Sequence, residues 1–292
     1  MSAAPLPDAA AQPPSRAEEL LSQYLATQLA EKNLSRFTLR NYATDLRHLF
    51  AYCDERSLDP LHISRQSFRA YLASMIEAGT APGSVTRRVS TARAFYRWLR
   101  LHEIIATDPL ANVATPKKPR RLPRTLTADD ITSIITAPAS DDTPGAVRDR
   151  ALLEVLYGCG VRVSEAAGID LPDIDLDAMA IRVRGKGNKE RLVVMGGPAR
   201  DAIARYVDAA RPALLRGRAP NAPATGALFV NRFGGRMSQR RIQLLVKKYA
   251  LKAGIDERVH PHLLRHTFAT HLLDGGAEVR VVQELMGHTN PN

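Results

Sequence analysis

Only two cysteines, Cys53 and Cys159, occur in the 292 residues. That is too few for a disulfide framework or a cysteine-built zinc site, and both are expected to be reduced thiols of a cytoplasmic protein. Long apolar runs are missing as well. Apolar residues make up 45% of the chain, yet stretches such as 151–153 and 155–157 break far short of the roughly 20 residues a membrane span needs. No membrane is therefore expected among the partners. Residues 1–15 are rich in Ala and Pro and contain no Lys or Arg. They lack the basic start of a secretory leader and read as a disordered tail.

Acidic residues are absent from one telling place. Residues 111–125 hold five basic side chains and no Asp or Glu, whereas 1–110 hold 13 Lys/Arg against 11 Asp/Glu and 126–292 hold 23 against 19. The net charge of +11 is thus concentrated in Lys117, Lys118, Arg120, Arg121 and Arg124, among Pro109, Pro116, Pro119 and Pro123. Charge of this sign fits a polyanion or a membrane surface, and its clustering in an extended, proline-bearing segment marks a linker between two domains, 16–110 and 126–292. Such a linker either lies along a phosphate backbone or serves solubility.

The first domain reads as all helix. Leu20, Leu21, Tyr24, Leu25 and Leu29 recur at helical spacing over residues 16–33, and Tyr42, Leu46, Leu49 and Phe50 give a face to a helix that starts after Ser35. A third helix is expected over 67–78. A fourth comes after the turn at 81–84, with Ser84 as its N-cap and Val85, Val89, Ala92, Tyr96 and Leu99 as its buried stripe. Arg93, Arg97 and Arg100 stand at i, i+4, i+7 on a neighbouring stripe, which either lines a DNA groove or is a solvated face.

The second domain is mixed. Helices are expected over 128–136, 147–157, 198–211, 238–254, 262–274 and 277–286, the last closed by Gly287 in the C′ position. Between them the alternation of residues 180–184 and 190–194 around Gly185-Lys186-Gly187-Asn188-Lys189 predicts a β-hairpin.

Four short elements of this domain carry chemistry-bearing residues: Gly160-Val161-Arg162-Val163-Ser164-Glu165, Gly185-Lys186-Gly187, His262-Leu263-Leu264-Arg265-His266 and Leu285-Met286-Gly287-His288. Singly, each has an ordinary structural explanation. An arginine after a glycine turn caps or solvates, a hairpin lysine is merely exposed, and a histidine after a C′ glycine meets the last carbonyls. His262 and His266 have a possible metal spacing, but no acid completes a site. His260, His266 and His271 read as flanking residues and Met286 as core.

In combination, in this order and spacing, the four elements resemble the active-site signature of the tyrosine recombinases (phage integrase-like proteins), most closely the Xer type. The likeness extends through residues 185–192 and 262–273. In the first domain it includes Thr38, Tyr42, Asp45, Leu46 and Phe50, together with Arg93, Phe95, Tyr96, Trp98 and Leu99, so that it covers about 17–292. The resemblance implies a mainly α protein with a small β-sheet. It would be a two-domain, C-shaped clamp on duplex DNA, with a helical SAM-like core-binding domain and an α/β catalytic domain. It implies site-specific strand cleavage and rejoining through a 3′-phosphotyrosyl link, with resolution of chromosome dimers at a dif-like site and a related recombinase as partner in a cyclic tetramer. A phage or mobile-element integrase is the alternative. Arg162 and Arg265 are then the expected clamp on a phosphate that gains charge in the transition state, because guanidinium is planar, always charged and bidentate. His262 and His288 add donors, Lys186 protonates the departing 5′ oxygen, and Glu165 orients Arg162. Arg93, Arg97, Arg100, Lys117, Lys118, Arg120 and Arg121 are the expected DNA contacts. No metal or nucleotide cofactor is implied.

The family's nucleophile comes after the second histidine motif, whereas all eight tyrosines here (Tyr24, Tyr42, Tyr52, Tyr71, Tyr96, Tyr157, Tyr206 and Tyr249) precede His288. Each reads as a core or surface residue. The attacking tyrosine is therefore expected beyond Asn292, and residues 1–292 alone are expected to be inactive in cleavage. The alternative is a binding-only protein that has lost the nucleophile.

Overall fold

Serine chemistry sets where the early helices begin. In the computed structural model, which describes residues 15–32, 34–113, 125–141, 143–185, 187, 189–216, 218, 225–256 and 258–287, the Ser35 hydroxyl accepts from Thr38 N at 3.2 Å and that of Ser64 from Ser67 N at 3.0 Å. Each caps the helix next to it. The chain divides into two units, Met1–Arg121 and Leu122–Asn292. Apart from Ser15, the tail 1–15 lies outside the described residues, as do Lys117, Lys118, Arg120, Arg121 and Arg124.

The first unit contains α1 (Arg16–Lys32), α2 (Arg36–Asp54), α3 (Arg65–Glu77) and α4 (Pro82–Leu101). Two expectations are corrected here. Ser84 does not cap α4: Ala81 is the N-cap and Pro82 opens the first turn, where its fixed φ suits the helix and its missing N–H costs nothing. Leu29 is 50% exposed while Gln28 is buried, because the face set by Ala17, Leu20, Leu21 and Tyr24 continues through position 28. The core joins Leu20, Leu21 and Tyr24 to Leu46, Leu49, Phe68, Tyr71, Val89, Phe95, Tyr96 and Leu99. The buried Asp45 ties α2 to α4 by accepting from Arg87 and from Thr91 Oγ1.

The second unit is built around α6 (Pro144–Gly158). Ala151, Leu152, Leu153, Val155 and Leu156 are all fully buried, so residues 151–156 are enclosed on nearly every side, with Glu154 the one charge among them, as suits a central helix. Before it comes α5 (Ala128–Thr136) and after it α7 (Val163–Gly168). The expected hairpin forms as β2 (Ala180–Arg184) and β3 (Glu190–Val194), joined by the two-residue β1 (Ile174–Asp175) in an antiparallel sheet of order β1-β2-β3. Ile181 pairs with Val193 and Val183 with Arg191. The helix expected over 198–211 is interrupted: α8 (Gly197–Arg205) passes through a π turn at Tyr206–Ala210 into α9 (Arg211–Leu215). Pro212 has no N–H to continue the regular ladder, and the Tyr206 hydroxyl is held by Leu228 O at 3.0 Å. The unit closes with α10 (Gln239–Lys252), α11 (Pro261–Asp274) and α12 (Val279–Leu285).

Two glycines bring helix ends close against neighbouring side chains. Gly160, at φ +56°, ends the α6 turn, and a Cβ there would lie 2.4 Å from the Phe268 ring. Gly287, at φ +61°, ends the α12 turn, and a Cβ there would lie 2.9 Å from Arg191 Nε. Both need a left-handed backbone and a close approach, which only glycine meets without strain.

Candidate active site

Arg162 is the N-cap of α7 and Glu165 its third residue, so one turn of helix folds the carboxylate back onto the arginine. Glu165 accepts from Arg162 N at 2.8 Å and from its guanidinium at 2.8 Å. The same buried carboxylate receives both terminal nitrogens of Arg191, from β3, at 2.7 and 3.0 Å. Arg265, one turn into α11, stands 3.9 Å from it. Three guanidinium groups thus surround a single carboxylate, leaving an excess of two positive charges in a partly closed site.

The arginines also grip backbone from distant segments. Arg265 donates to Gly160 O and to Met286 O, and Arg162 reaches Gly287 O at 3.5 Å. The start of α7, the body of α11 and the end of α12 are therefore pinned to one another by charge-assisted bonds. Burial, then repulsion from Arg162, pushes the Arg265 guanidinium down to about 10, with Glu165 opposing and Arg191 adding to the shift; it remains a cation at neutral pH. Burial alone would raise the Glu165 carboxyl. Hydrogen bonds from Arg191, and then from the Arg162 backbone and side chain, outweigh it and hold Glu165 below its ordinary value.

The structure thus brings Arg162, Glu165 and Arg265 together. His262 shares α11 with Arg265, one turn earlier, with its ring exposed and 6.3 Å from that of His260. His260 caps α11 by accepting from Leu263 N at 3.1 Å. Lys186 and His288 lie outside the described residues, but their described neighbours abut the cluster. A Cβ on Gly185 would be 3.6 Å from Glu165 Oε1, and Gly287 packs on Arg191. Of the expected DNA contacts, Arg97 and Arg100 are exposed and Arg93 half-buried, all on α4 of the first unit. Lys117, Lys118, Arg120 and Arg121 lie outside the described residues.

Sequence reasoning missed Arg191 as a site residue. The available signal was its position. Strand alternation puts residue 191 on the same face as the buried Val183 and Val193, and an arginine there needs a buried carboxylate.

No tyrosine of the second unit offers its hydroxyl to the cluster. Tyr206 and Tyr249 are buried, bonded to Leu228 O and to Asp149 at 2.9 Å. The Tyr157 hydroxyl is held by His271 Nδ1 at 2.9 Å. Tyr24, Tyr42, Tyr52, Tyr71 and Tyr96 belong to the first unit. Among the described residues there is no group of three or more His, Cys, Asp or Glu able to hold a metal, and no helix is long and apolar enough to cross a membrane.

Known proteins resemble this chain in sequence and in fold. Residues 124–292 match the phage integrase family, and residues 21–103 match the phage integrase N-terminal SAM-like domain. The chain is 41% identical over 274 residues to the tyrosine recombinase XerC of Pelotomaculum thermopropionicum, covering 92% of this chain and 89% of the relative. It is 39% identical over 272 residues to the tyrosine recombinase XerD of Proteus mirabilis, covering 93% and 85%. Its fold is also that of the Tn1549 transposon integrase (residues 82–397) in complex with circular intermediate DNA, with a TM-score of 0.71, 19% identity and coverage of 93% and 92%.

Proposed function

The chain belongs to the phage integrase family, as a tyrosine recombinase of Xer type, and from that premise we propose that it is a site-specific recombinase that resolves chromosome dimers at a dif-like site. The observation that carries the mechanism is the cluster of Arg162, Arg191 and Arg265 around Glu165. Attack on a phosphodiester builds a five-coordinate phosphorus with a second negative charge on its nonbridging oxygens. Cations already fixed in place stabilise that charge without reorganising.

In this reading Arg162 and Arg265 hold the scissile phosphate and Glu165 keeps Arg162 oriented. His262 and His288 donate to the same oxygens, and Lys186 protonates the 5′ oxygen as it leaves. A tyrosine attacks and becomes esterified to the 3′ phosphate, conserving the bond energy for rejoining. Both units contact duplex DNA, through Arg93, Arg97 and Arg100 in the first and through the basic segment between them. A related recombinase completes a cyclic tetramer, and the reaction takes place in the cytoplasm.

The test is covalent capture. On a nicked suicide substrate carrying a dif-like core, a form of the protein that includes the attacking tyrosine is expected to give a protein–DNA adduct in denaturing gels. Residues 1–292 are expected to bind the same duplex and give none. An adduct from residues 1–292 would assign the attack to an upstream side chain and redraw the site. That chain should also bind with strong salt dependence, each neutralised phosphate contributing about −0.9 to the slope of log K against log salt. Changing Lys117, Lys118, Arg120 and Arg121 together to Ala is expected to flatten the slope, read by fluorescence anisotropy across a salt series; an unchanged slope removes that segment from the DNA interface.

A further inference from the structure

Arg191 is the one cation of the cluster for which the phosphate clamp has no use. Its two terminal nitrogens are both committed to Glu165, at 2.7 and 3.0 Å. Its Nε is buried with no hydrogen-bond partner among the described residues, and its Nε, Cδ and Cζ press on the Gly287 backbone so closely that a Cβ there would lie 2.9–3.1 Å from them. A half-buried arginine whose Nε is enclosed without a described partner is costly, so its presence at an inward position of β3 calls for a reason in what it holds.

What it holds is the geometry of the other two arginines. A fork on a carboxylate fixes both the position and the plane of that carboxylate. Once Arg191 has fixed Glu165 from the sheet side, the oxygens are presented to Arg162 N and to the Arg162 guanidinium from the helix side. On its other flank, Arg191 sets how near Gly287 comes, and with it the two carbonyls, Met286 O and Gly287 O, that receive Arg265 and Arg162. We propose that Arg191 is a positioning residue: it locks Glu165 and the Gly287 backbone so that Arg162 is already aimed when the DNA arrives, and it does not itself bind the phosphate. This rests on the assignment of Arg162 to the phosphate clamp.

The experiment pairs a readout of the arginine with one of the chemistry. In the 292-residue chain, nitrogen-15 NMR monitors the guanidinium protons of Arg162, which exchange slowly while they are bonded to Glu165. In a form carrying the attacking tyrosine, single-turnover cleavage of the nicked substrate is measured beside duplex affinity. Arg191→Met, similar in length and uncharged, is expected to bring the Arg162 signals into fast exchange. It should slow cleavage by about tenfold to a hundredfold and move duplex affinity by less than about twofold. Arg191→Lys restores the charge without the two-point fork and should stay within about threefold of the Met variant. In a Glu165→Gln background, Arg191→Met should add little, because the two act as one unit.

Unchanged Arg162 signals in Arg191→Met, full recovery in Arg191→Lys, or additive effects with Glu165→Gln overturn the proposal. A parallel fall in duplex affinity would make Arg191 a phosphate ligand and overturn it as well. If the Arg162 signals collapse while Arg162→Ala itself cleaves normally, the positioning stands and the clamp assignment is what fails. Should Arg191→Met not fold, the Lys variant and the Glu165→Gln pair carry the same comparison.

Discussion

Replacing Arg265 by alanine is expected to slow strand cleavage by on the order of a hundredfold or more, while duplex affinity falls by less than about threefold. The asymmetry comes from when each contact matters. Affinity for a duplex is spread over many phosphates, and losing one changes it little. The scissile phosphate gains a second charge only on the way to the transition state, and a guanidinium aimed at it stabilises that state preferentially. Arg265 is suited to the role by its confinement. It is buried, its donors on one side are taken by Gly160 O and Met286 O, and its charge is kept in a setting where burial and Arg162 push its pKa down to about 10. An incoming phosphate relieves that repulsion. Because Arg265→Ala also frees two carbonyls, Arg162→Ala is the necessary companion. The Arg162 side chain is 34% exposed, so its removal costs less stability and should still slow cleavage to a similar degree. Wild-type cleavage by Arg162→Ala would refute the clamp.

The sequence made the local parts of this site legible and concealed the parts made by register. Arg162 and Glu165 could be paired from their spacing because three residues along a helix N-terminus is a fixed distance. Gly287 could be placed after the last helix because a C′ glycine is local chemistry. That its carbonyl and that of Met286 would become acceptors for Arg162 and Arg265 was not readable, since those bonds join positions more than a hundred and about twenty residues apart. Arg191 was hidden for the same reason. Its partner lies 26 positions away, and its inward orientation depends on the pairing of β2 with β3. The hairpin itself was visible in the alternation of 180–184 and 190–194, whereas the two-residue β1 carries no periodicity to detect. The break after α8 is a middle case. Pro212 was in plain view, but the apolar spacing around it reads as one continuous helix.

Glu165→Ala is expected to destabilise the second unit by about 3–5 kcal/mol, the usual cost of removing one partner from a buried ionic group. The carboxylate is fully buried and, among the described residues, is the one anion that Arg162, Arg191 and Arg265 share. Without it three cations face one another, and the bonds that pin α7 to β3 are lost. The pH dependence gives a sharper test. The folded-state pKa of Glu165 lies below its ordinary value of 4.5, so the folded protein holds the ionised form more favourably than the unfolded chain does. That contribution is present in full well above pH 4.5 and is lost as the pH falls through the lower, folded-state value. Glu165→Gln keeps the shape and cannot ionise. The difference in unfolding free energy between wild type and this variant, measured by urea denaturation, should therefore be flat from about pH 8 to about pH 5.5 and shrink as the solution is made more acid. A gap that stays constant down to the acid transition would mean that the carboxylate contributes hydrogen bonds alone. Its charge would then not be what holds the three arginines together.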